Sequence, residues 1–183
     1  MKPQALTETA LFSALAIILS YIIIFRAPQG GSISLVMAPI LIISLKQGVG
    51  PGVFCGVVTG AITFMFGGFF VAPLQVVCDY LLAYGAIGLA GLFSRGFLTA
   101  MRRDQRKLAM TYTLTAGVLA GGLRLFFHTL AGIAFYTSYA PKGQPVWLYS
   151  LIYNSLYVIP DTILAIICVL LLTGRLKRVF VRG

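Results

Sequence analysis

The sequence predicts an all-α integral membrane protein, a compact bundle of six transmembrane helices with both termini on the cytoplasmic side (N-in and C-in). Three observations carry this. Of 183 residues, 59% are hydrophobic and only 10% charged, against about 25% charged in an ordinary soluble domain. Apolar runs long enough to cross a hydrocarbon core of about 30 Å recur along nearly the whole length, which leaves no room for a separate soluble domain. The cations gather in short segments between those runs, so the net charge of +10 reads as a topology signal and not as nucleic-acid binding. Residues 1–183 are expected to form a single transmembrane domain.

Six segments follow in order: 5–25, 33–45, 51–66, 72–93, 108–137 and 146–173. Turn-forming or basic stretches separate them: "RAPQGG", "KQGVGP", "GGFF", "SRGFLTAMRRDQRK" and "SYAPKGQP". The first segment starts close to Met1, is too long for a signal-peptide core and lacks a small-residue cleavage site, so it reads as a true span. The second covers only about 20 Å at about 1.5 Å per residue and contains Pro39, which predicts a short or broken helix beside a buried loop. Gly52, Gly56 and Gly60 in the third and Gly117 and Gly121 in the fifth recur every four residues. Such spacing lets helix backbones approach closely in lipid, and it is read here as internal packing. Ala10 and Ala14 repeat the spacing in the first segment, where the same face suits another membrane subunit. Cys55, Cys78 and Cys168 are odd in number and lack CxxC spacing, so they are read as packing residues. No internal repeat supports an inverted-repeat transporter.

Orientation follows from the bases. With both termini cytoplasmic, Lys2, Lys46, Arg95, Arg102, Arg103, Arg106, Lys107, Arg175, Lys177, Arg178 and Arg182 lie inside, and only Arg26 and Lys142 outside, eleven against two. This leaves Arg124 within a span. A bias of that size fixes the expected topology.

An ionisable side chain inside a bilayer costs at least a few kcal/mol, so each one is a functional hypothesis. Counted by helix rise from the outer ends of their spans, Tyr149 lies about 5 Å in, Asp79 about 10 Å, Asn154 about 12 Å and His128 about 13 Å. Four polar groups from three helices thus share one outward-facing layer. Tyr80, Tyr84, Phe135, Tyr136, Tyr139, Trp147, Tyr153 and Tyr157 surround it. A carboxylate ringed by aromatic faces, with His, Asn and Tyr groups for hydrogen bonds, suits a flat cationic heteroaromatic ligand. An interfacial aromatic belt accounts equally for Trp147 and Tyr149, but it does not account for Asp79. Arg124 and Asp161 fall deeper, about 20 Å and 22 Å on the same count. They are read as a structural ion pair, with a reach of Arg124 toward Asp79 as the alternative.

Catalysis is not indicated. There is no activated Ser or Cys constellation and no HExxH, and carboxylates are too few for a metal centre, so no catalytic residue, metal or cofactor is expected. There is no GxxxxGK[ST] loop, so the chain cannot itself couple ATP to transport, and it is not read as an enzyme.

The runs "RLFFHTLAGIAFYTSYAPKGQPVWLYSLIYNSLYVIP", "APQGGSISLVMAPILIISLKQG" and "LQVVCDYLLAYGAIGLAG" resemble the thiamine-specific substrate-binding (S) components of energy-coupling factor transporters. The resemblance extends from "LTETALFSALA" to Pro160 and is most specific from His128 to Asn154. It implies six membrane helices, external loops that cap the ligand, and a thiamine site near the outer surface. Asp79 stands where the family has an acidic residue followed by tyrosine, here Tyr80. His128, Tyr149 and Asn154 match its helix-five histidine and the tyrosine and asparagine of "YSLxxN", and Tyr136 occupies an aromatic position. Some members carry a longer Glu at the Asp79 position, and a Trp where this chain has "PQGG". The resemblance also assigns Ala10 and Ala14 to the contact with the transmembrane coupling subunit.

The expected protein is therefore a multi-pass subunit of a bacterial cytoplasmic membrane, a single substrate-binding domain that captures external thiamine. It would deliver the vitamin inward together with the coupling subunit and two ATPases, which with thiamine and the lipid bilayer are its expected partners. Two alternatives stand beside it: an S component for another vitamin or a pyrimidine precursor, and a structural or regulatory membrane subunit without a ligand.

Overall fold

The computed structural model describes residues 3–28, 30–175 and 180; Lys2, Gln29, Lys177, Arg178 and Arg182 lie outside the described residues. Its helices are α1 (Pro3–Ser20), α2 (Met37–Gln47), α3 (Val49–Met65), α4 (Pro73–Arg102), α5 (Arg106–Phe135) and α6 (Val146–Arg175). A short ribbon of β1 (Phe25–Arg26) and β2 (Ser32–Ile33) bridges α1 and α2. Four helices, α1, α4, α5 and α6, are long and apolar enough to cross a membrane, whereas α2 and α3 are shorter. The chain is an all-α, multi-pass membrane bundle.

Three boundaries differ from expectation by four residues or more, each for a local reason. The first helix stops at Ser20, because "YIIIF" leads into the ribbon, where Phe25 pairs with Ile33 and Arg26 with Ser32. β-Branched and aromatic residues suit a strand as well as a span, and hydropathy does not separate the two. The second helix starts at Met37 and is short but unbroken. Pro39 sits in its first turn, where a missing N–H forfeits no helical hydrogen bond. Residues 37–45 are all buried, so α2 is the central helix, apolar on every face. The fourth helix runs nine residues past the expected end, through Ser94–Arg102. Phe97, Ala100 and Met101 bury one face of that stretch, while its arginines stay out, and the basic break shrinks to a turn at Asp104.

The helices alternate in direction, which gathers Lys46, Arg102, Arg103, Arg106 and Lys107 at one end of the bundle. There Lys46 and Gln47 of α2 donate to the Glu8 carboxylate of α1 at 2.9 and 2.6 Å. Ala10 and Ala14 lie on the exposed face of α1, opposite buried Thr9, Ser13 and Ala16.

The small-residue faces do pack internally. Gly52, Gly56 and Gly60 of α3 face α4, and Gly117 and Gly121 of α5 face α6. At Gly60 a Cβ would sit 2.0 Å from the Tyr80 carbonyl oxygen, so only glycine allows this approach. That contact sets α4 against α3 at the residues that build the site.

Candidate ligand site

α4 is not a uniform helix. Residues 77–82 adopt a π-helical turn, and Asp79 and Tyr80 lie within it. The wider turn changes which side chains share a face, a device often found where a helix carries function. Asp79 and Tyr80 face α5, α6 and three loops across a cleft of about 660 Å³, open solvent at its edge included.

Every candidate ligand residue named from the sequence lines this cleft: Asp79, Tyr80, His128, Tyr136, Tyr149 and Asn154. Tyr84, Tyr139, Tyr153 and Tyr157, grouped around them by aromatic character, line it as well. Phe135 and Trp147 do not, and Trp147 is 55% exposed, as expected of an interfacial aromatic residue.

The Asp79 carboxylate holds the centre. Oδ1 receives the His128 Nδ1 hydrogen bond at 2.9 Å. Oδ2 accepts from Gln75 Nε2 at 2.7 Å and from the Tyr136 hydroxyl at 3.2 Å. An ionised carboxylate only accepts, so the proton between His128 and Asp79 sits on Nδ1. The buried Nε2 atom of His128 then remains without a partner among the described residues. The Tyr136 hydroxyl is the donor in its bond, since an ionised carboxylate only accepts.

Aromatic faces wall the cleft in pairs. Tyr80 stacks on Tyr84, Phe69 on Tyr136, and Tyr149 on Tyr153, with ring centroids 6.5, 6.0 and 6.0 Å apart. The Phe69 N–H donates to the Tyr80 hydroxyl at 2.7 Å, tying the loop before α4 to the π turn. Gly31 brings the first external loop over α6: a Cβ there would lie 2.4 Å from the Tyr157 ring. The loop that carries "PQGG" thus contributes backbone to the wall where a larger residue would not fit.

The Asn154 amide is committed to partners within the bundle. Its Nδ2 donates to the Ser150 and His128 carbonyl oxygens at 2.8 and 3.2 Å, and its Oδ1 accepts from the Tyr157 hydroxyl. Asn154 therefore braces α6 against α5 behind His128 while one edge reaches the cleft.

Arg124 and Asp161 form a buried ion pair between α5 and α6. The second carboxylate oxygen of Asp161 accepts the Ser34 N–H at 2.9 Å, and the guanidinium lies 5.1 Å from the centre of the Tyr84 ring. Arg124 also lines the cleft, so the deep pair and the outer polar layer adjoin. The separation by depth that helix rise suggests does not hold, because a long arginine side chain spans more than one helical turn.

Sequence reasoning missed Gln75, Phe69, Gly132, Ser150 and the lining role of Gly30, Gly31 and Ser32. A signal existed for Gln75: it precedes Asp79 by four residues and so shares its helix face. Phe69 carries no such signal, since loop residues have no period.

Known proteins share this architecture. The family model described as "Thiamine transporter protein (Thia_YuaJ)" matches residues 6–181. The thiamine transporter ThiT of Bacillus subtilis (strain 168) is 36% identical over 174 residues, spanning 92% of this chain and 91% of that protein. ThiT of Lacticaseibacillus paracasei is 31% identical over 178 residues, covering 95% and 89%. A solved structure of ThiT from Listeria monocytogenes superimposes with a TM-score of 0.89 at 28% identity over 96% of each chain. With a family match over nearly its whole length and relatives above 30% identity, the chain belongs to the thiamine transporter (Thia_YuaJ) family.

Proposed function

We propose that this protein is the thiamine-binding S component of an energy-coupling factor importer. It takes thiamine from the external side and delivers it to the cytoplasm with a transmembrane coupling subunit and two ATPases. The observation that carries the reading is the Asp79 carboxylate, half-enclosed among tyrosine rings and bonded to an imidazole, an amide and a phenol. A negative charge so enclosed costs free energy unless a cation joins it. Thiamine brings a permanent thiazolium charge on a flat ring, which suits both the carboxylate and the aromatic faces at any physiological pH. The unpartnered His128 Nε2 offers a lone pair to an amino group, as on the aminopyrimidine ring. Membership of the thiamine transporter family and the names of the relatives support the same ligand. Asp79, Tyr80, His128, Tyr136 and Tyr149 are the proposed contacts, with Asn154 behind His128.

For the partner subunits, the support is the exposed small face of Ala10 and Ala14 on α1, which permits close approach of another membrane helix. In the proposed orientation the basic end of the bundle faces the cytoplasm.

Calorimetric titration of the purified protein with thiamine, and competition by its separate pyrimidine and thiazolium halves, tests the ligand. Saturable thiamine binding, with the cationic half required, is expected. Tight binding of the pyrimidine half alone would favour a precursor-specific S component. Absence of any saturable binding would favour a structural subunit. Trp147 stands outside the cleft, so in a fluorescence format the cleft tyrosines are the expected reporters.

A further inference from the structure

Gln75 is fully buried at the outer end of α4 and uses both sides of its amide. Oε1 accepts the Val71 N–H at 3.1 Å, and Nε2 donates to the Phe69 carbonyl at 3.3 Å and to Asp79 Oδ2 at 2.7 Å. The orientation has a chemical cause. The Val71 N–H needs an acceptor and the Phe69 carbonyl a donor, so the nitrogen side faces the carboxylate. Gln75 itself does not line the cleft, whereas Asp79 and Phe69 on either side of it do.

We propose that Gln75 is a positioning residue for the cation site, holding Asp79 in register with the 66–72 loop whose Phe69 forms part of the wall. The inference rests on the thiamine reading above. A primary amide is suited to the task because it is neutral. It orients Oδ2 by a charge-assisted hydrogen bond, yet leaves the negative charge for the ligand. A lysine or arginine in its place would cancel that charge, as Arg124 does for Asp161. The same amide links two parts of the wall, so the carboxylate and the Phe69 ring move together or not at all.

The test separates an effect on charge from an effect on shape. Thiamine and a neutral isostere, in which thiophene replaces the thiazolium ring, are titrated calorimetrically into wild type, Gln75→Met, Asp79→Asn and the double variant. Gln75→Met is expected to weaken thiamine binding about tenfold and the neutral isostere less than about twofold, in line with loss of one hydrogen bond to a charged group. In the Asp79→Asn background the substitution at 75 should add no further cation-selective loss. Equal losses for the two ligands, or an undiminished effect in that background, would mean that Gln75 serves only loop packing, and would overturn the proposal. If Gln75→Met does not fold, Gln75→Asn is read by the same criteria, because its amide is too short to span from the loop to Asp79. Wild type that fails to bind thiamine overturns the functional reading and this inference together. A cation preference that Asp79→Asn abolishes and both Gln75 variants leave intact overturns this inference alone.

Discussion

Asp79 and Asp161 are two carboxylates inside one bundle, and their surroundings are opposite. Asp161 has no exposed side-chain surface and is matched by the Arg124 guanidinium, with the Ser34 N–H on its second oxygen. Asp79 keeps 13% of its side chain exposed and is held by an imidazole, an amide and a phenol. One negative charge is neutralised within the chain. The other is bonded by an imidazole, an amide and a phenol and faces the cleft. A guanidinium supplied by the protein makes Asp161 a structural element, whereas the imidazole, amide and phenol around Asp79 suit the cation of the proposed ligand.

The comparison can be broken at either carboxylate, and the largest effect is expected at the structural one. Arg124→Met leaves Asp161 as an uncompensated buried charge and should cost about 3 to 5 kcal/mol of stability. Thermal unfolding in detergent reads this as a large fall in Tm. Arg124→Met combined with Asp161→Leu should recover much of the loss, since well-packed apolar residues can replace a buried pair. At Asp79, the proposed ligand contact, the pattern should reverse. Asp79→Asn is expected to weaken thiamine binding by about 2 to 3 kcal/mol in a calorimetric titration, with little change in Tm. A large fall in Tm with binding retained would make Asp79 a second structural carboxylate.

Between these lies the support for the π turn. Gly60→Ala drives a Cβ into the Tyr80 carbonyl, and overpacking of this kind costs about 1 to 3 kcal/mol. Both Tm and thiamine affinity should fall, because α4 carries Tyr80 and Asp79 together. Tyr136→Phe removes a single donor 3.2 Å from Asp79 and should cost about 0.5 to 1.5 kcal/mol of thiamine affinity, measured in the same titration. The smallest effect is expected at Trp147→Phe, outside the cleft, where both Tm and affinity should stay near wild type.

Much of the site was legible because span residues carry a depth. The rise of a helix places Asp79, His128, Tyr149 and Asn154 in one layer, and in the structure they meet across one cleft. Depth says nothing about azimuth or side-chain length. Depth therefore separates Arg124 from the layer it adjoins, and it does not reveal that the Asn154 amide is committed to Ser150, His128 and Tyr157. Helix ends were less legible than helix existence. "YIIIF" and "SRGFLTAMR" each broke a hydropathy rule, the first by pairing as a ribbon, the second by burying Phe97, Ala100 and Met101 along one face.

By itself, then, the amino-acid order determined a six-helix membrane bundle, because apolar length and scarcity of charge are properties of each segment alone. It also determined which few polar groups would need a partner. Only the tertiary structure decided who the partners are. Asp161 received a guanidinium and Asp79 an imidazole, an amide and a phenol because the π turn of α4, the close approach at Gly60 and the loop bound by Gln75 set directions that spacing along a chain does not contain. Hydrogen bonds and ion pairs act over a few ångströms with definite angles, and those are fixed only when helices far apart in sequence come to rest against one another.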